Sequence, residues 1–244
     1  MKHIAVDIGN SRLKIGYDGK VFTQPADFTE PEKCTWWIAS VCRPALEKFL
    51  EWVREFRPGD EIRVLDYRML PISVDVQFPE KVGIDRLLAA VAANRRRPAG
   101  RSAVVVDFGT AITVDLIGEA GNFCGGTIFP GMDIAAEALH TFTDALPKVD
   151  VLPLPDNVWP IGKNTHDAIL GGVFWGTVGA VRELTKKLAL LARSRQQIFL
   201  TGGAAEVVLR GLRSMKEDDA KYIYVPEMVL EGIREVVRRE TEVS

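Results

Sequence analysis

Val106-Asp107-Phe108-Gly109-Thr110 repeats, 100 residues further along the chain, the pattern of Val6-Asp7-Ile8-Gly9-Asn10. In both stretches an apolar run ends in Asp, a bulky apolar residue, Gly and a polar residue, and a second extended run follows. An internal repeat of this kind indicates two structurally similar halves. The sequence therefore predicts an α/β protein with a duplicated strand–D-x-G–strand core.

Pro98-Ala99-Gly100 breaks the chain between the two repeats, which predicts an N-terminal domain over 1–99 and a C-terminal domain over 100–244. Hydrophobic periodicity then predicts the elements of each half. The first half has predicted strands at 3–8, 12–17, 20–23, 35–41 and 62–65 and helices at 44–56 and 84–97. The second half has predicted strands at 102–107, from after Thr110 to Ile117, at 122–129 and at 197–200. Its predicted helices run from 131 to about 140, over 165–194, from just after Gly203, and over 228–239.

The composition is typical of a globular protein from a reducing compartment. The chain has 244 residues, of which 47% are hydrophobic, so it is long and apolar enough to bury a core. Its net charge is −2, so it lacks the excess of basic residues typical of a nucleic-acid-binding protein. Three cysteines without a C-x-x-C pair form neither a disulfide framework nor a zinc site. No uncharged apolar run is long enough to span a membrane. We therefore expect a soluble, cytoplasmic protein that binds neither nucleic acid nor membranes.

The two D-x-G turns suit a nucleotide polyphosphate. Glycine permits a tight turn close to a ligand, and Asn10 or Thr110 supplies the donors that phosphate oxygens need. The carboxylates repel phosphate but can hold the magnesium ion that neutralises it. One such turn alone would more simply be a β-turn closed by hydrogen bonds of its Asp. The duplicated pair, together with Thr201-Gly202-Gly203, favours nucleotide binding.

Other phosphate-binding and catalytic motifs are absent from the sequence. Ile161-Gly162-Lys163-Asn164-Thr165 lacks the first glycine of a Walker A loop and follows a proline-rich segment instead of a buried strand. No G-x-G-x-x-G follows a strand, and no G-x-S-x-G occurs. The three histidines show no metal-ligand spacing. These observations exclude a Rossmann dinucleotide site, a serine-hydrolase elbow and a zinc-protease motif.

Gly83-Ile84-Asp85-Arg86 opens a predicted helix and contains a candidate catalytic base. A kinase needs a carboxylate near the acceptor hydroxyl, and Asp85 could accept its proton. Arg86 could hold an anionic substrate or the transferring phosphoryl group. An Asp at a helix start can equally be a plain N-terminal carboxylate beside a solvated Arg, so both interpretations stay open.

Eight segments, in order along the chain, resemble those of the type III pantothenate kinases, members of the acetate kinase, sugar kinase, Hsp70 and actin superfamily. They are D-I-G-N-S at 7–11, I-A-S-V at 38–41, G-I-D-R at 83–86, D-F-G-T-A-I-T at 107–113, G-G-T-I-F-P-G at 125–131, G-K-N-T at 162–165, T-G-G at 201–203 and L-E-G-I at 230–233. The resemblance implies two ribonuclease-H-like (actin-like ATPase) domains that bind ATP with Mg²⁺. It also implies a homodimer whose interface completes the site for pantothenate and a monovalent cation, K⁺ or NH₄⁺. The implied reaction is ATP-dependent phosphorylation of pantothenate to 4'-phosphopantothenate, the first step of coenzyme A biosynthesis.

The resemblance also implies roles for individual residues. The ATP-phosphate loop would consist of Asp7, Ile8, Gly9, Asn10, Ser11, Arg12, Leu13 and Lys14, and Thr110 would be a second ATP contact. Asp85 would be the general base on the pantothenate hydroxyl. The pantothenate itself would be held by Gly83, Ile84, Asp85, Arg86 and Thr165, and the monovalent cation by Asp107.

One departure from the family pattern keeps a second substrate open. The family usually has Tyr seven residues before the Gly of G-x-D-R, where this chain has Val76, with Phe78 close by. Either Phe78 covers the substrate or that contact is missing. A kinase for another small hydroxylated acid is therefore one alternative. A non-catalytic nucleotide-binding regulator is the other, against which the intact Asp85 and both D-x-G turns argue.

Three glycines in the long helix predicted at 165–194 indicate a close contact. Gly172, Gly176 and Gly179 lie on nearby faces, and each costs the helix about 1 kcal/mol relative to alanine. Close packing against another element would compensate for this cost. We predict that this element belongs to a second copy of the chain, and a contact within the chain is the alternative.

Overall fold

A computed structural model describes residues 2–155, 157–192, 196–215 and 221–243, which form two five-stranded sheets with helices. The strands are β1 (Lys2–Ile8), β2 (Leu13–Tyr17), β3 (Lys20–Phe22), β4 (Cys34–Ser40), β5 (Glu61–Val64), β6 (Ala103–Phe108), β7 (Ala111–Ile117), β8 (Phe123–Pro130), β9 (Gln197–Thr201) and β10 (Tyr222–Tyr224). The helices are α1 (Arg43–Phe56), α2 (Ile84–Arg96), α3 (Met132–Thr141), α4 (Thr165–Leu191), α5 (Ala205–Ser214) and α6 (Met228–Val243).

Both sheets have the same topology. The first has the strand order β3-β2-β1-β4-β5 and the second the order β8-β7-β6-β9-β10. In each, the strand that leads into a D-x-G turn pairs antiparallel with the following strand and parallel with a later one. This equivalence confirms the duplicated core that the sequence repeat predicts.

In the first sheet, alternating residues of the central strands face opposite helices. Ile4 and Val6 of β1 and Trp36 of β4 pack in one cluster with Phe49 and Val53 of α1. The opposite face is covered by α6, which lies so close to β2 that a Cβ on Gly16 would be 3.1 Å from Leu230 Cδ1. A glycine in β2 thus permits the helix to approach the sheet.

The second sheet buries the apolar side chains of β6 and β7 under α4 and α5. Val104 and Val106 belong to one cluster with Phe174 and Val178 of α4 and Val208 of α5. Asp107 alternates with these valines, so it lies on the other face of the sheet. The alternation of apolar residues that predicts a buried β6 therefore also determines that the Asp107 carboxylate points away from this cluster.

The chain divides into two compact units, of which the first comprises Met1–Arg96 and Glu227–Ser244 and the second Arg97–Pro226. The predicted boundary at residue 99 lies close to the first division, but the placement of α6 differs from the predicted 100–244 domain. This helix packs against α2 in the first unit, with Met228 fully buried and Gly232 against the Leu88 carbonyl. The amphipathic pattern of α6 requires burial of one face but does not specify which half covers it.

Two further expectations concern helix length. The helix predicted at 165–194 begins at Thr165 as expected and ends at Leu191, and residues 193–195 lie outside the described part of the chain. Within the described ranges, no helix combines the length and apolarity needed to cross a bilayer.

Candidate active site

The first D-x-G turn connects β1 to β2. The Gly9 N–H donates to the Arg12 carbonyl at 2.9 Å, and a Cβ on Gly9 would lie 3.3 Å from the same oxygen. Asn10, Ser11 and Arg12 are exposed, as a ligand-binding loop requires, whereas Ile8 is buried in the core. Ile8 can therefore reach a ligand only through its backbone.

Asp7 and Lys14 face each other across the hairpin that this turn closes. They are paired residues of β1 and β2, so their side chains share one face of the sheet. Leu13, between the turn and Lys14, is half-buried and packs against the core. Lys14 Nζ donates to Glu227 Oε2 at 3.1 Å. The sequence interpretation did not include Glu227, because no motif surrounds it and it lies 213 residues from Lys14.

Asp85 lies in the first turn of α2, and its carboxylate is held tightly against the backbone. Its Oδ1 accepts a hydrogen bond from the Arg86 N–H at 2.8 Å. A Cβ on Gly83 would lie 2.5 Å from the same oxygen, so a side chain at position 83 would displace the carboxylate. This contact gives a physical reason for glycine two residues before the Asp, with Ile84 starting the helix between them.

Asp85 and the first D-x-G turn lie at the same end of the sheet. Val41, just after β4, connects them: its N–H donates to the Ile8 carbonyl at 3.1 Å, and its Cγ1 would be 3.8 Å from a Cβ on Gly83. The carboxyl ends of the parallel strands β1 and β4 meet at this edge, where α/β folds commonly bind ligands. The structure thus brings together the two segments predicted to bind phosphate and to activate the acceptor.

The surroundings of Asp85 change its acidity. Burial raises the pKa of the Asp85 carboxyl above its usual value, while the Arg86 N–H and the charge of Arg86 act in the opposite direction. A carboxylate with a raised pKa binds a proton more tightly than an exposed one. Asp85 is therefore a stronger base than an ordinary Asp, as proton transfer from an alcohol requires.

The second D-x-G turn is in contact with the T-G-G segment. Asp107 pairs with Thr113 of β7 and Thr201 of β9. Gly202 has a φ of +93°, and a Cβ there would overlap Asp107 Oδ1 and lie 2.6 Å from the Phe108 backbone. Only glycine fits this position, because both the conformation and the space exclude a side chain.

Gly131 makes a similar close contact with the other side of this turn. Its N–H donates to the Thr110 carbonyl at 3.0 Å, and a Cβ on it would overlap that oxygen. Gly131 also precedes α3, so the N-terminus of this helix lies next to Thr110. Anions bind favourably at helix N-termini, which makes this a suitable place for a phosphate group. The sequence interpretation included both glycine-containing segments but gave neither glycine a structural role.

Thr165 begins α4 and is exposed. The preceding Asn164 caps the helix by accepting the Asp167 N–H at 2.8 Å, and Gly162 packs against the Ala168 backbone. Thr165 lines an apolar groove of about 590 Å³ together with Pro130, which is adjacent to Gly131. Within the second unit the structure therefore connects Thr165 with the surroundings of Thr110.

The region of the missing family tyrosine contains an exposed aromatic ring. Val76 is half-buried, whereas 47% of Phe78 is exposed and Lys81 Nζ lies 4.5 Å from its ring centroid. This cation–π contact keeps a positive charge beside the ring. Phe78 is thus accessible to a ligand, although Val76 offers no hydroxyl in place of the tyrosine.

In the part of the chain that the structure describes, protein side chains alone do not form a metal-binding site. Among these residues, no group of three or more His, Cys, Asp or Glu side chains could hold a metal ion. A cation at Asp107 would therefore take its other ligands from backbone groups, hydroxyls, water or the phosphates. Gly202 packs directly against one oxygen of the Asp107 carboxylate, so such an ion would have to bind on another side of the carboxylate.

Comparison with known proteins identifies the family. A family model described as type III pantothenate kinase matches residues 19–187. The chain belongs to the type III pantothenate kinases. A type III pantothenate kinase of Persephonella marina is 32% identical over 200 residues, which cover 82% of this chain and 74% of the relative. Another from Alkalilimnicola ehrlichii is 31% identical over 257 residues, covering 96% of this chain and 97% of that one.

Solved structures place this family member in the fold that the family resemblance implies. A putative 2-dehydro-3-deoxygalactonokinase from Sinorhizobium meliloti superimposes with a TM-score of 0.58 at 15% identity, covering 98% of this chain and 99% of the other. An archaeal actin homologue in complex with ADP superimposes with a TM-score of 0.51 at 12% identity, covering 98% of this chain and 100% of the homologue. The fold is thus that of two ribonuclease-H-like domains, as in sugar kinases and actin.

Proposed function

We propose that this protein is a cytoplasmic enzyme that transfers the γ-phosphoryl group of ATP to the hydroxyl of pantothenate. The product is 4'-phosphopantothenate, in the first step of coenzyme A biosynthesis. Besides family membership, the observation that carries the proposal is the environment of Asp85. A half-buried carboxylate, whose pKa is raised by partial removal from water, lies at the same sheet edge as the first D-x-G turn.

The phosphates of ATP would bind to the turn between β1 and β2 and to Thr110. Asn10 and Ser11 are exposed donors in the turn, and Lys14 supplies a positive charge beside it. Mg²⁺ bound to ATP would neutralise phosphate charge, and Asp7 would bind it directly or through water. Phosphoryl transfer requires mainly positioning and charge stabilisation, which a preformed loop with fixed donors can supply.

Pantothenate would bind with its hydroxyl at Asp85. The raised pKa of Asp85 favours uptake of the hydroxyl proton as the phosphoryl group is transferred. The positive charge of Arg86 attracts the carboxylate of pantothenate or the transferring group, and Gly83 and Ile84 provide backbone contacts. Thr165 is an exposed hydroxyl suited to hydrogen bonding with the pantothenate chain. Phe78 would cover the substrate in place of the family tyrosine.

Asp107 would hold a monovalent cation, K⁺ or NH₄⁺. The polyphosphate and the pantothenate carboxylate already bring several negative charges to the site, so another carboxylate there requires a positive ion. The cation would stabilise negative charge on the phosphates, and a single carboxylate suits a weakly bound, singly charged ion.

We further propose that the protein is a homodimer that packs through α4. At Gly172, Gly176 and Gly179, a Cβ would meet no described atom within 4 Å, which argues against a contact within the chain. Gly172 and Gly176 line the same apolar groove as Thr165 and Leu139. A second copy in this groove would compensate for the glycines and would lie next to the predicted pantothenate contact.

ATP consumption with and without pantothenate, measured first in potassium and then in sodium, tests the activity. We expect turnover to require pantothenate and to rise strongly in potassium or ammonium. A panel of other small hydroxylated acids tests the alternative substrate that the Val76 departure suggests. Faster turnover with another acceptor would refute pantothenate as the substrate. ATP binding without any turnover would support a regulatory role instead.

A further inference from the structure

Lys14 is held by a carboxylate that comes from the far end of the chain. Its Nζ lies 3.1 Å from Glu227 Oε2, and the two side chains are only 24% and 29% exposed. Both residues belong to the first unit, since the chain re-enters that unit at Glu227. The ion pair therefore connects the predicted phosphate loop to the start of α6.

The position of Glu227 is fixed independently of Lys14. Glu227 directly precedes α6, and its carbonyl accepts the Glu231 N–H at 2.9 Å in the first helical turn. The next residue, Met228, is fully buried, and Leu230 packs over Gly16 of β2. A carboxylate at this end of a helix also interacts favourably with the helix dipole. The backbone of Glu227 is thus fixed at the start of α6, within reach of the flexible Lys14 side chain.

Ordering of this lysine matters for phosphate binding. A lysine side chain has many rotamers, and a ligand must overcome the entropy of fixing them if the side chain is mobile beforehand. Glu227 accepts a hydrogen bond from the Lys14 ammonium group, which carries three donors in all. The pair therefore contributes to the orientation of this positive charge before ATP binds.

Glu227 also has an opposing effect, because its negative charge repels the polyphosphate. A phosphate held by Lys14 would lie within the roughly 8 Å screening length of Glu227 at physiological ionic strength, so salt weakens this repulsion only in part. The gain from ordering does not depend on salt in this way. Ordering and repulsion therefore act on ATP affinity with opposite signs, and the change in ATP affinity of Glu227→Ala distinguishes them.

We propose that Glu227 is a positioning residue that orients Lys14 for the phosphates of ATP. This inference rests on the proposed function, in which Lys14 belongs to the ATP-phosphate loop. Glu227 itself touches neither substrate and acts only through the lysine.

A double-mutant cycle of Glu227→Ala and Lys14→Ala tests the inference, with ATP affinity measured by titration calorimetry. We expect Glu227→Ala alone to weaken ATP binding by about fivefold, the upper range for a partly exposed ion pair. In the Lys14→Ala background, the same change should alter ATP affinity by less than about twofold. The KM for ATP should rise while the KM for pantothenate stays constant, which a general structural defect would not produce.

Glu231→Gln provides a matched control on the same helix. It removes a carboxylate one turn further on that binds Arg96 at 2.7 Å, far along α2 from Asp85. Its ATP affinity should equal that of the wild type. Glu227→Gln keeps the acceptor oxygen and the size of the side chain, so it should retain part of the affinity and replaces Glu227→Ala if that variant does not fold.

Two results would overturn the inference. Tighter ATP binding by Glu227→Ala would show that repulsion dominates, and an equal loss in both backgrounds would show that Glu227 does not act through Lys14. Because calorimetry with ATP needs no acceptor, these results are distinct from failure of the proposed function. That failure would appear as ATP turnover in the wild type that does not depend on pantothenate.

Discussion

Asp85→Asn should lower activity and raise stability in the same protein. Asparagine keeps the size of the side chain and an Oδ1 that can accept the Arg86 N–H, which lies at 2.8 Å in the wild type. Only the negative charge and the basicity are lost. General-base catalysis contributes about 10²–10⁴ in rate, so turnover should fall at least about a hundredfold, or about 3–5 kcal/mol. ATP binding should persist, because the phosphate loop is a separate segment.

The gain in stability follows from the raised pKa of Asp85. Burial disfavours the charged carboxylate, so the folded pKa exceeds the unfolded value of about 3.9. Below the unfolded pKa the carboxyl is protonated in both states and costs nothing. The cost grows as pH rises from the unfolded to the folded pKa, by about 1.4 kcal/mol for each pH unit between them, and is constant above that. Asp85→Asn should therefore be more stable than the wild type at pH 7, and the difference should shrink towards pH 4.

The measurements are pantothenate-dependent ATP turnover and urea unfolding at several pH values. Asp133→Asn is the control for stability, since Asp133 is an exposed first-turn residue of α3. Its loss removes a favourable dipole interaction of about 0.3–1 kcal/mol, so the free energy of unfolding should fall slightly. A near wild-type rate in Asp85→Asn would mean that Asp85 is only a helix-start residue. A loss of stability at pH 7 would refute the reasoning from burial.

Three further predictions concern the second unit. Asp107→Ala should abolish the rise in activity when potassium or ammonium replaces sodium, and potassium-independent turnover in the wild type would leave Asp107 as a magnesium ligand through water. Gly202→Ala should destabilise the protein by about 2 kcal/mol or more, because of its left-handed conformation and the overlap with Asp107, and an unchanged melting temperature would contradict this. Light scattering should give a dimeric mass at micromolar concentration. Gly176→Leu, which meets open space within the chain, should give a folded monomer, and a persisting dimer would place the interface elsewhere.

The duplicated sheet could be predicted from local sequence, because each strand–turn–strand unit is contiguous and its alternation of apolar residues is regular. Asp85 could be predicted as a candidate catalytic base, because it is a carboxylate at the start of a predicted helix. The reason for Gly83 became visible only with the structure, since its contact with the Asp85 carboxylate depends on how the chain turns into α2.

Other features of the site depend on contacts between distant segments. The roles of Gly131 and Gly202 depend on their approach to the second D-x-G turn, which no local pattern encodes. Glu227 has no motif around it, and its partner is set by the packing of α6 on β2. The covering of the first sheet by α6 was missed for the same reason: an amphipathic helix indicates that it is buried, not what covers it.

The return of α6 to the first unit affects the order in which the chain can fold during synthesis. At about 5–20 residues per second, the 213 residues between Lys14 and Glu227 take roughly 10–40 s to translate. During this time the face of β2 that bears Gly16 has no helix to cover it. The second unit is contiguous from Arg97 to Pro226, so it can be complete on the ribosome before the first. The unit whose synthesis begins first therefore folds completely last. A nascent chain can form the ion pair between Lys14 and Glu227 only when α6 has emerged from the ribosome.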